Sequence, residues 1–473
     1  MNNRKSSQLL EGPILKSLVI LSVPIVLANV LQAAYQLTDA FWVGRLGGAA
    51  VASVSVSFPI IFLSIAVGAG LAVAGSTLIA QYVGAKKVDM VNHVAAQTLL
   101  MVAITSVVLG AIGYFLTPTL LHLMGVAPDV YAHALGFMRV SFIGLVFTFG
   151  FAMFQSIMRG IGQVTMPMYI VLGTVLLNFI LDPLLIFGYG SFSGHGVMGA
   201  ALATLGTQGA AALIGLTILF KGKYQIHLKL LDFKPDFSFI KKAFLLGFPA
   251  SIEQSARALG ITIMTFLIAS FGTLTVASYG VGSNILQFVL IPALGLSMSI
   301  SVLVGQNIGA GNIKRASEIA RLGAIISFIG LTIIGMIIFI FASPLIAFFV
   351  PNDAVIIATG ATFVRIMSLT FGFMGIQLAL SGVFRASGNM FVTMTIALIS
   401  QWVLRFPLAY ILSKYTSLGI NGLWWSFPIS NILTAIIAMA WYAKGSWKNK
   451  RLTEEEQFSG QVSKEILIEE GVR

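Results

Sequence analysis

Cysteine is absent from this chain, and charged residues make up only 9% of it. Without cysteine the protein has no disulfide, no thiolate metal ligand and no cysteine nucleophile. Its five histidines show no paired metal-ligand spacing, so the sequence predicts no metal site. A soluble protein carries about 25% charged residues, whereas 57% of this chain is hydrophobic. We therefore expect nearly all of the chain to lie in lipid.

Long apolar runs, separated by glycine, proline and charge clusters, predict an all-α integral membrane protein with twelve transmembrane helices. Their predicted limits are 15–43, 50–83, 93–117, 128–158, 165–188, 197–221, 241–270, 275–308, 314–343, 353–384, 391–413 and 420–445. The first run is too long for the core of a signal peptide and lacks a cleavage pattern. We expect it to be an uncleaved first helix.

Lysine and arginine predict the orientation of the chain. With the N-terminus in the cytoplasm, the inner segments hold 22 of them and the outer loops hold two, Arg45 and Lys414. Because short cytoplasmic loops are enriched in these residues, we expect a multi-pass protein of a prokaryotic cytoplasmic (inner) membrane with both termini cytoplasmic. The net charge of +12 then needs no nucleic-acid partner.

The chain contains an internal repeat. Three first-half motifs have counterparts in the second half at one constant spacing: Val51-Ala52-Ser53 recurs at 276–278, Val23-Pro24 matches Phe248-Pro249, and the Gln-x-x-Gly-Ala pattern of 81–85 recurs at 306–310. Because each copy has six helices, the copies are expected to be parallel repeats. The predicted domains are an N-terminal six-helix bundle at 1–220, a cytoplasmic linker at 221–240, a C-terminal six-helix bundle at 241–446 and a cytoplasmic tail at 447–473.

An acid interrupts the first apolar run. Asp39 stands before the end of that run, and a carboxylate at membrane depth usually faces a bundle interior or a water-filled cavity. The alternative is an acid just past the helix end that is hydrogen-bonded at the outer interface.

Three further polar residues of the first half lie at a similar depth. At about 1.5 Å per residue, Asp182 of helix five and Thr204 of helix six can share a layer with Asp39, and Asn178 lies one turn from Asp182. Their oxygens could hold a proton or Na⁺; the alternative is a hydrogen-bond network that only packs the bundle. Residues one or two turns below Asp39 are expected to line a substrate cavity: Gln32, Tyr35 and Gln36.

The second half carries different charges. Met264 stands where the repeat places Asp39, and the buried charges are Glu253, Arg257 and Arg405. Glu253 and Arg257 are four residues apart and can pair along one helix face. We favour a structural ion pair there; a role in substrate or conformational coupling is the alternative.

Together these motifs resemble the multidrug and toxic compound extrusion (MATE) family, in its DinF-like branch. The resemblance runs from about 14 to 446 and is carried by the following elements: Pro24 and Asp39, both Gln-x-x-Gly-Ala junctions, Arg-Gly-x-Gly-Gln at 159–163, Asn178-x-x-x-Asp182-Pro183, and Gly196-x-x-Gly199-Ala-Ala-x-Ala-Thr204. It implies an antiporter that exports organic cations and drugs by alternating access. The expected coupling ion is H⁺, with Na⁺ as the alternative, and no cofactor is expected. The resemblance also implies that helix one bends at Pro24.

Other functions fit less well. A flippase for lipid-linked precursors, from the related superfamily, is the runner-up, and a strongly basic central cavity would favour it. An intramembrane enzyme would need a nucleophile with a base, or a metal cluster, and we identify no catalytic residues. The duplicated fold with its asymmetric acids gives no support to a channel. The expected partners are small organic cations and membrane lipid, and we expect a monomer.

Overall fold

The computed structural model describes residues 9–190 and 192–453. Within these residues, eleven helices are long and apolar enough to cross a membrane, and a twelfth span is formed by two helices that meet at a bend of 51°. The predicted all-helical membrane fold is therefore confirmed. Part of the predicted tail, 454–473, and the basic residues Arg4 and Lys5 lie outside the described residues.

The first half contains six long helices, joined between α5 and α6 by a short antiparallel hairpin of Gly188–Tyr189 and Phe192–Ser193. The helices are α1 Ile14–Gly44, α2 Gly48–Gly84, α3 Val88–Leu123, α4 Pro128–Gly160, α5 Thr165–Phe187 and α6 Val197–Phe220. Most limits lie within two residues of the prediction. The exception is α3, predicted at 93–117, because its ends continue past the apolar window that hydropathy detects.

The second half begins, like the first, with three long helices, and its later helices are shorter and differ from the prediction. Its elements are α7 Phe237–Ala269, α8 Thr273–Gly309, α9 Ile313–Phe349, α10 Ala354–Ser368, α11 Phe371–Ala386, α12 Met390–Leu398, a π-helix at Ile399–Arg405, α13 Phe406–Lys414 and α14 Ile420–Ala443. The single continuous helix predicted at 353–384 is therefore wrong, because α10 and α11 meet there at a bend, whereas the span predicted at 391–413 is present as Met390–Lys414 with a π-helix inside it. Pro407 cannot donate to the preceding turn, and the chain widens into the π-helix immediately before it.

The chain packs as two compact units, and the boundaries between them fall inside α1 and α7. Among the described residues, one unit contains 27–251, and the other contains those up to Val26 and those from Ile252 onward. Each division falls two residues after a proline, Pro24 in α1 and Pro249 in α7, and these prolines are equivalent in the repeat. The units thus follow packing, whereas the predicted domain limits follow the sequence repeat.

Glycines allow the first part of each divided helix to pack closely on its unit. A Cβ at Gly70 of α2 would collide with the backbone of Ser251 in α7, and the Ser251 hydroxyl donates to the carbonyl of Val67 at 2.9 Å. In the other unit, a Cβ at Gly295 of α8 would meet Cγ2 of Val26 in α1 at 2.5 Å. The two glycines occupy equivalent positions of the repeat, so this close approach is a repeated feature of the fold.

The linker between the halves is bound to α3 by one buried amide. Gln97 donates through Nε2 to the carbonyls of Asp232 and Lys234, at 3.0 and 2.9 Å, and its Oε1 accepts from the backbone N–H of Asp236 at 3.0 Å. A single side chain therefore satisfies three backbone groups of the linker.

The start of the predicted tail is packed rather than extended. Trp447 is buried and stacks on Tyr442 with ring centroids 5.4 Å apart, and Nε of Arg451 donates to the carbonyl of Ile308 at 3.1 Å. Residues 447–453, the first part of the predicted tail, are thus held against the helices, because one tryptophan among charged residues buries its ring.

Candidate functional site

A cavity of about 350 Å³ lies within the unit formed by 27–251. It is bounded by α1, α2, α4 and α6, and most of its wall is apolar, including Phe58 and Phe137. Three polar side chains predicted from the sequence line it: Gln36, Asp39 and Thr204. Ligand cavities in proteins typically have a mostly apolar lining with a few polar groups that orient the ligand.

Asp39, Asn178 and Asp182 form one hydrogen-bonded cluster at this cavity. Nδ2 of Asn178 donates to Oδ1 of Asp39 at 2.6 Å and to Oδ2 of Asp182 at 2.8 Å. Asn178 and Asp182 are fully buried, and they are four residues apart on one face of α5. The depth arithmetic placed these residues in one layer, and the structure brings them into contact.

Asp39 is also well inside its helix. Because α1 continues to Gly44, the alternative of an acid beyond the helix end is wrong. The cation nearest to that end, Arg45, lies over the rings of Phe41 and Trp42, with its Cζ 4.5 and 5.2 Å from their centroids.

The remaining predicted cavity residues divide into two groups. Gln36 lines the cavity, but Tyr35 is buried, and its hydroxyl forms a 2.7 Å hydrogen bond with that of Thr207 in α6. Gln32 is half-buried one turn below Gln36. Sequence reasoning missed Thr207, which lies three residues after Thr204 on the same helix face and could have been found by that spacing.

In the second unit, one carboxylate is shared by two arginines. Oε1 of Glu253 accepts from Nη2 of Arg257 at 2.8 Å and from Nη2 of Arg385 at 2.5 Å. The Glu253–Arg257 pair is therefore present. Sequence reasoning missed Arg385 as a partner, because the predicted helix ended at 384 and Arg385 was counted with the inner segments that follow it, yet it is buried in α11.

Arg405 does not join this cluster. Its guanidinium donates to Ser430 Oγ, Gln401 Oε1 and Asn431 Oδ1, at 3.2, 3.1 and 2.8 Å, and lies over the Phe427 ring. All four contacts are with neutral groups.

Comparison with known proteins decides the family. The MatE family profile matches residues 24–184 and again 249–411, and the two matches begin at the equivalent prolines of the repeat. The chain belongs to the MatE family. The twofold match agrees with the internal repeat found in the sequence.

Relatives and solved MATE structures match almost the whole chain. The probable multidrug resistance protein YpnP of Bacillus subtilis is 30% identical over 95% of this chain and 100% of its own length. The probable multidrug resistance protein NorM of Thermotoga maritima is 29% identical over 93% of this chain and 95% of its own. A multidrug resistance MATE family transporter of the MOP superfamily, solved in an outward-facing conformation, superposes with a TM-score of 0.87 at 26% identity and covers 94% and 99% of the two chains.

This MatE protein is therefore a membrane transporter, similar over nearly its whole length to bacterial proteins that are named as probable multidrug resistance proteins. Among the residues that the structure describes, no group of three or more histidine or acidic side chains is arranged to hold a metal ion. Oδ1 of Asp182 and Oδ1 of Asn178 are buried without a hydrogen-bond partner within the same residues. The Asp182 oxygen, beside the Asp39 carboxylate, can accept a proton, and both oxygens can ligate a small hard cation such as Na⁺.

Proposed function

We propose that this transporter exports organic cations in exchange for a coupling ion that binds at Asp39 and Asp182. The observation that carries the proposal is the shared amide of Asn178, which holds both carboxyl groups beside a cavity and leaves buried oxygens without partners. A network that served only packing would be expected to satisfy each of these oxygens, since leaving one unpaired costs free energy.

Competition for one site supplies the coupling. Two carboxyl groups held by one amide cannot easily both carry charge, so one of them readily takes a proton. A protonated pair no longer attracts an organic cation, and a bound cation excludes the proton. Occupancy by one therefore lowers the affinity for the other, which is the thermodynamic requirement for exchange.

We favour H⁺ over Na⁺, and the DinF-like branch over other branches, because the acids of the second half are not available for coupling. Glu253, the buried acid of that half, has two arginine partners. Thr204 completes the proposed coupling group, since it lines the cavity beside Asp39.

The substrates are proposed to be amphipathic aromatic cations. The cavity wall offers phenylalanine rings and apolar side chains around one acid, Asp39, and the relatives YpnP and NorM are named as probable multidrug resistance proteins. Gln36 is the amide placed to orient a substrate. Gln32 and Tyr35 stay in the proposal as residues of the same helix face, with Tyr35 anchoring α1 to α6.

A cytoplasmic location of both termini is also part of the proposal. It rests on the excess of lysine and arginine in the inner segments. Arg385 has to be removed from that count because it is buried against Glu253, but the asymmetry remains large.

A flippase for lipid-linked precursors is the second candidate. The observation that favours it is a cavity of the second unit that is lined by Arg257 and Arg405, because basic side chains suit the phosphate of such a precursor. The acidic cluster of the first unit has no role in that alternative.

One experiment separates the coupling ions and the two candidates. The purified protein in vesicles receives either a pH gradient or a Na⁺ gradient, and the efflux of ethidium is followed by fluorescence. Efflux driven by the pH gradient alone supports the proposal. Efflux driven only by the Na⁺ gradient would identify Na⁺ as the coupling ion. Absence of efflux under either gradient, in protein that still binds ethidium, would contradict antiport.

A further inference from the structure

The two units contain equivalent cavities. The cavity of the second unit has a volume of about 420 Å³ and is bounded by α7, α8, α10, α11, the π-helix and α14. Pairs of lining residues occupy equivalent positions of the repeat, among them Val51 and Val276, Ser55 and Gly280, and Ile65 and Leu290. The repeat has therefore produced the same cavity twice.

The two cavities differ in the sign of their charge. The first is lined by one charged residue, Asp39, whereas the second is lined by Arg257 and Arg405. Among the residues that the structure describes, the second unit has one buried carboxylate, that of Glu253, which pairs with Arg257 and Arg385. Arg405 adds a third guanidinium group that bonds only neutral side chains. Three guanidinium groups against one carboxylate leave an excess of positive charge.

Arg405 supplies one charge of that excess and has no acidic partner among the described residues. It lies within the membrane span Met390–Lys414, roughly 14 Å from the end of that span at Lys414. Within the residues that the structure describes, it has no carboxylate partner, and its hydrogen bonds go to a hydroxyl and two amide oxygens. Charges at this depth are normally paired, because an unpaired one is costly.

The local backbone presents Arg405 to the cavity. Ser400, Gln401 and Arg405 all line the cavity, and all belong to the π-helix Ile399–Arg405. Such widened turns occur frequently at functional sites. The bond from Arg405 to Gln401, together with Asn431 from α14, fixes the plane of the guanidinium.

The rest of the wall suits an aromatic ligand with polar groups. Tyr279 and Phe427 line the cavity, and their ring centroids are 6.3 Å apart. Gln287 and Gln377 add amide groups to the lining, and Met367 and Met374 add adaptable apolar surface.

We propose that the cavity of the second unit is a binding site for the carboxylate of an amphipathic aromatic molecule, with Arg405 as its main anion partner and Arg257 beside it. The planar guanidinium group of arginine matches the geometry of a carboxylate better than the ammonium group of lysine does, because it can form two parallel hydrogen bonds. The transporter would then accept acidic or zwitterionic aromatic compounds in addition to cations. The inference relies on the proposed function only for the view that such a ligand is exported.

The test uses three pyrene probes that differ in one group: 1-pyrenebutyrate, its uncharged amide, and a pyrenebutyl trimethylammonium. Binding to the full-length protein in phosphatidylcholine nanodiscs is measured by fluorescence anisotropy, with empty nanodiscs as the blank. No gradient is applied, so failure of coupled transport and failure of this site are distinguishable. Pyrenebutyrate is expected to bind more tightly than the amide.

Two variants with matched controls locate the site. Arg405→Gln should weaken pyrenebutyrate binding roughly tenfold or more, as expected for loss of a charged hydrogen-bond partner, and should leave the amide unchanged. Arg365→Gln is the control, because Arg365 is bonded to α9 and does not line the cavity. If Arg405→Gln fails to fold, Gly280→Leu tests the cavity, since a Cβ at Gly280 meets open space. Its control is Ser55→Leu, at the equivalent position of the first cavity.

The expected pattern is reciprocal: Gly280→Leu should weaken pyrenebutyrate binding and spare the trimethylammonium probe, and Ser55→Leu should do the reverse. Equal binding of the acid and the amide, or unchanged pyrenebutyrate binding in both Arg405→Gln and Gly280→Leu, would overturn the proposal.

A further measurement uses nanodiscs that contain phosphatidylglycerol. If adding it to the nanodiscs abolished pyrenebutyrate binding in the wild type, the cavity would belong to a lipid phosphate and the proposal of a small-molecule carboxylate would be wrong.

Discussion

The amide nitrogen of Asn178 lies 2.6 Å from a carboxylate oxygen of Asp39, so α5 is hydrogen-bonded to α1 at the cavity of the first unit. The same nitrogen donates to Asp182 at 2.8 Å. One donor serving two acids means that a change of charge on either acid alters the bonding of the other. This relationship motivates the predictions about coupling.

Asp39→Asn and Asp182→Asn should each abolish gradient-driven efflux while leaving a folded, inserted protein. An amide keeps the volume and the hydrogen bonding of the carboxyl group but cannot release a proton. Ethidium efflux from vesicles under a pH gradient measures the effect. Asp129→Asn, at an exposed position in the first turn of α4, is the control and should transport normally. Wild-type efflux from either cavity mutant, at equal protein amount, would remove that residue from the coupling site.

Pro24→Ala should reduce turnover more than it reduces substrate binding. The helix α1 runs through Pro24 without a break, yet the division between the two compact units falls just after it, between Val26 and Leu27. A proline removes one backbone hydrogen bond and gives the helix a point of low stiffness, so alanine should stiffen α1 where the units separate.

The control for that variant is Pro118→Ala, because Pro118 is also inside a helix, α3, but away from either division. The efflux rate and the dissociation constant of ethidium are measured for both variants. If Pro24→Ala and Pro118→Ala had the same transport kinetics, bending at Pro24 would have no part in the cycle.

Glu253→Gln should destabilise the protein by about 3–5 kcal/mol, the usual cost of removing one partner from a buried ion pair. The carboxylate is 1% exposed and is the shared partner of Arg257 and Arg385, so its loss leaves the half-buried Arg257 and the buried Arg385 without their anion. Unfolding by heat or denaturant in detergent checks the change. Glu318→Gln, at an exposed position of α9, should be neutral, and equal stability of the two variants would show that the cluster is not structural.

Gln97→Leu should loosen the linker between the halves and cost about 1–3 kcal/mol, because three backbone groups lose their partner. Limited proteolysis between 221 and 236 reports the change directly, and cleavage should become faster than in the wild type. Cleavage at the wild-type rate would mean that the linker is held by other contacts.

The sequence predicted the spans, the repeat and the acidic cluster because each leaves a one-dimensional signal. Depth along a helix follows from residue counting, and that is how Asp39, Asn178 and Asp182 were placed together. Counting gives height but not the direction in which a side chain points, so it could not tell that Arg385 reaches Glu253 and that Arg405 does not.

The division of α1 and α7 between the two units was also beyond the sequence. Hydropathy shows that a segment crosses the membrane, but it does not show which neighbours the segment packs on. The signal was present in Gly70 and Gly295, which are spaced by the repeat, yet a glycine in a membrane helix has many possible packing partners. The π-helix before Pro407 was also missed, because hydropathy does not record how the backbone adjusts when a proline cannot donate to the preceding turn.

The most direct test of the account is the pH dependence of ethidium binding, measured from about pH 5 to 8 without any gradient. Binding to the wild type should strengthen as pH rises, because protons leave the acids that attract the cation. Asp39→Asn and Asp182→Asn should flatten this response, and Glu253→Gln should keep it in the protein that folds. A full pH response in both aspartate variants and its loss in Glu253→Gln would place the coupling site in the second unit and contradict the account.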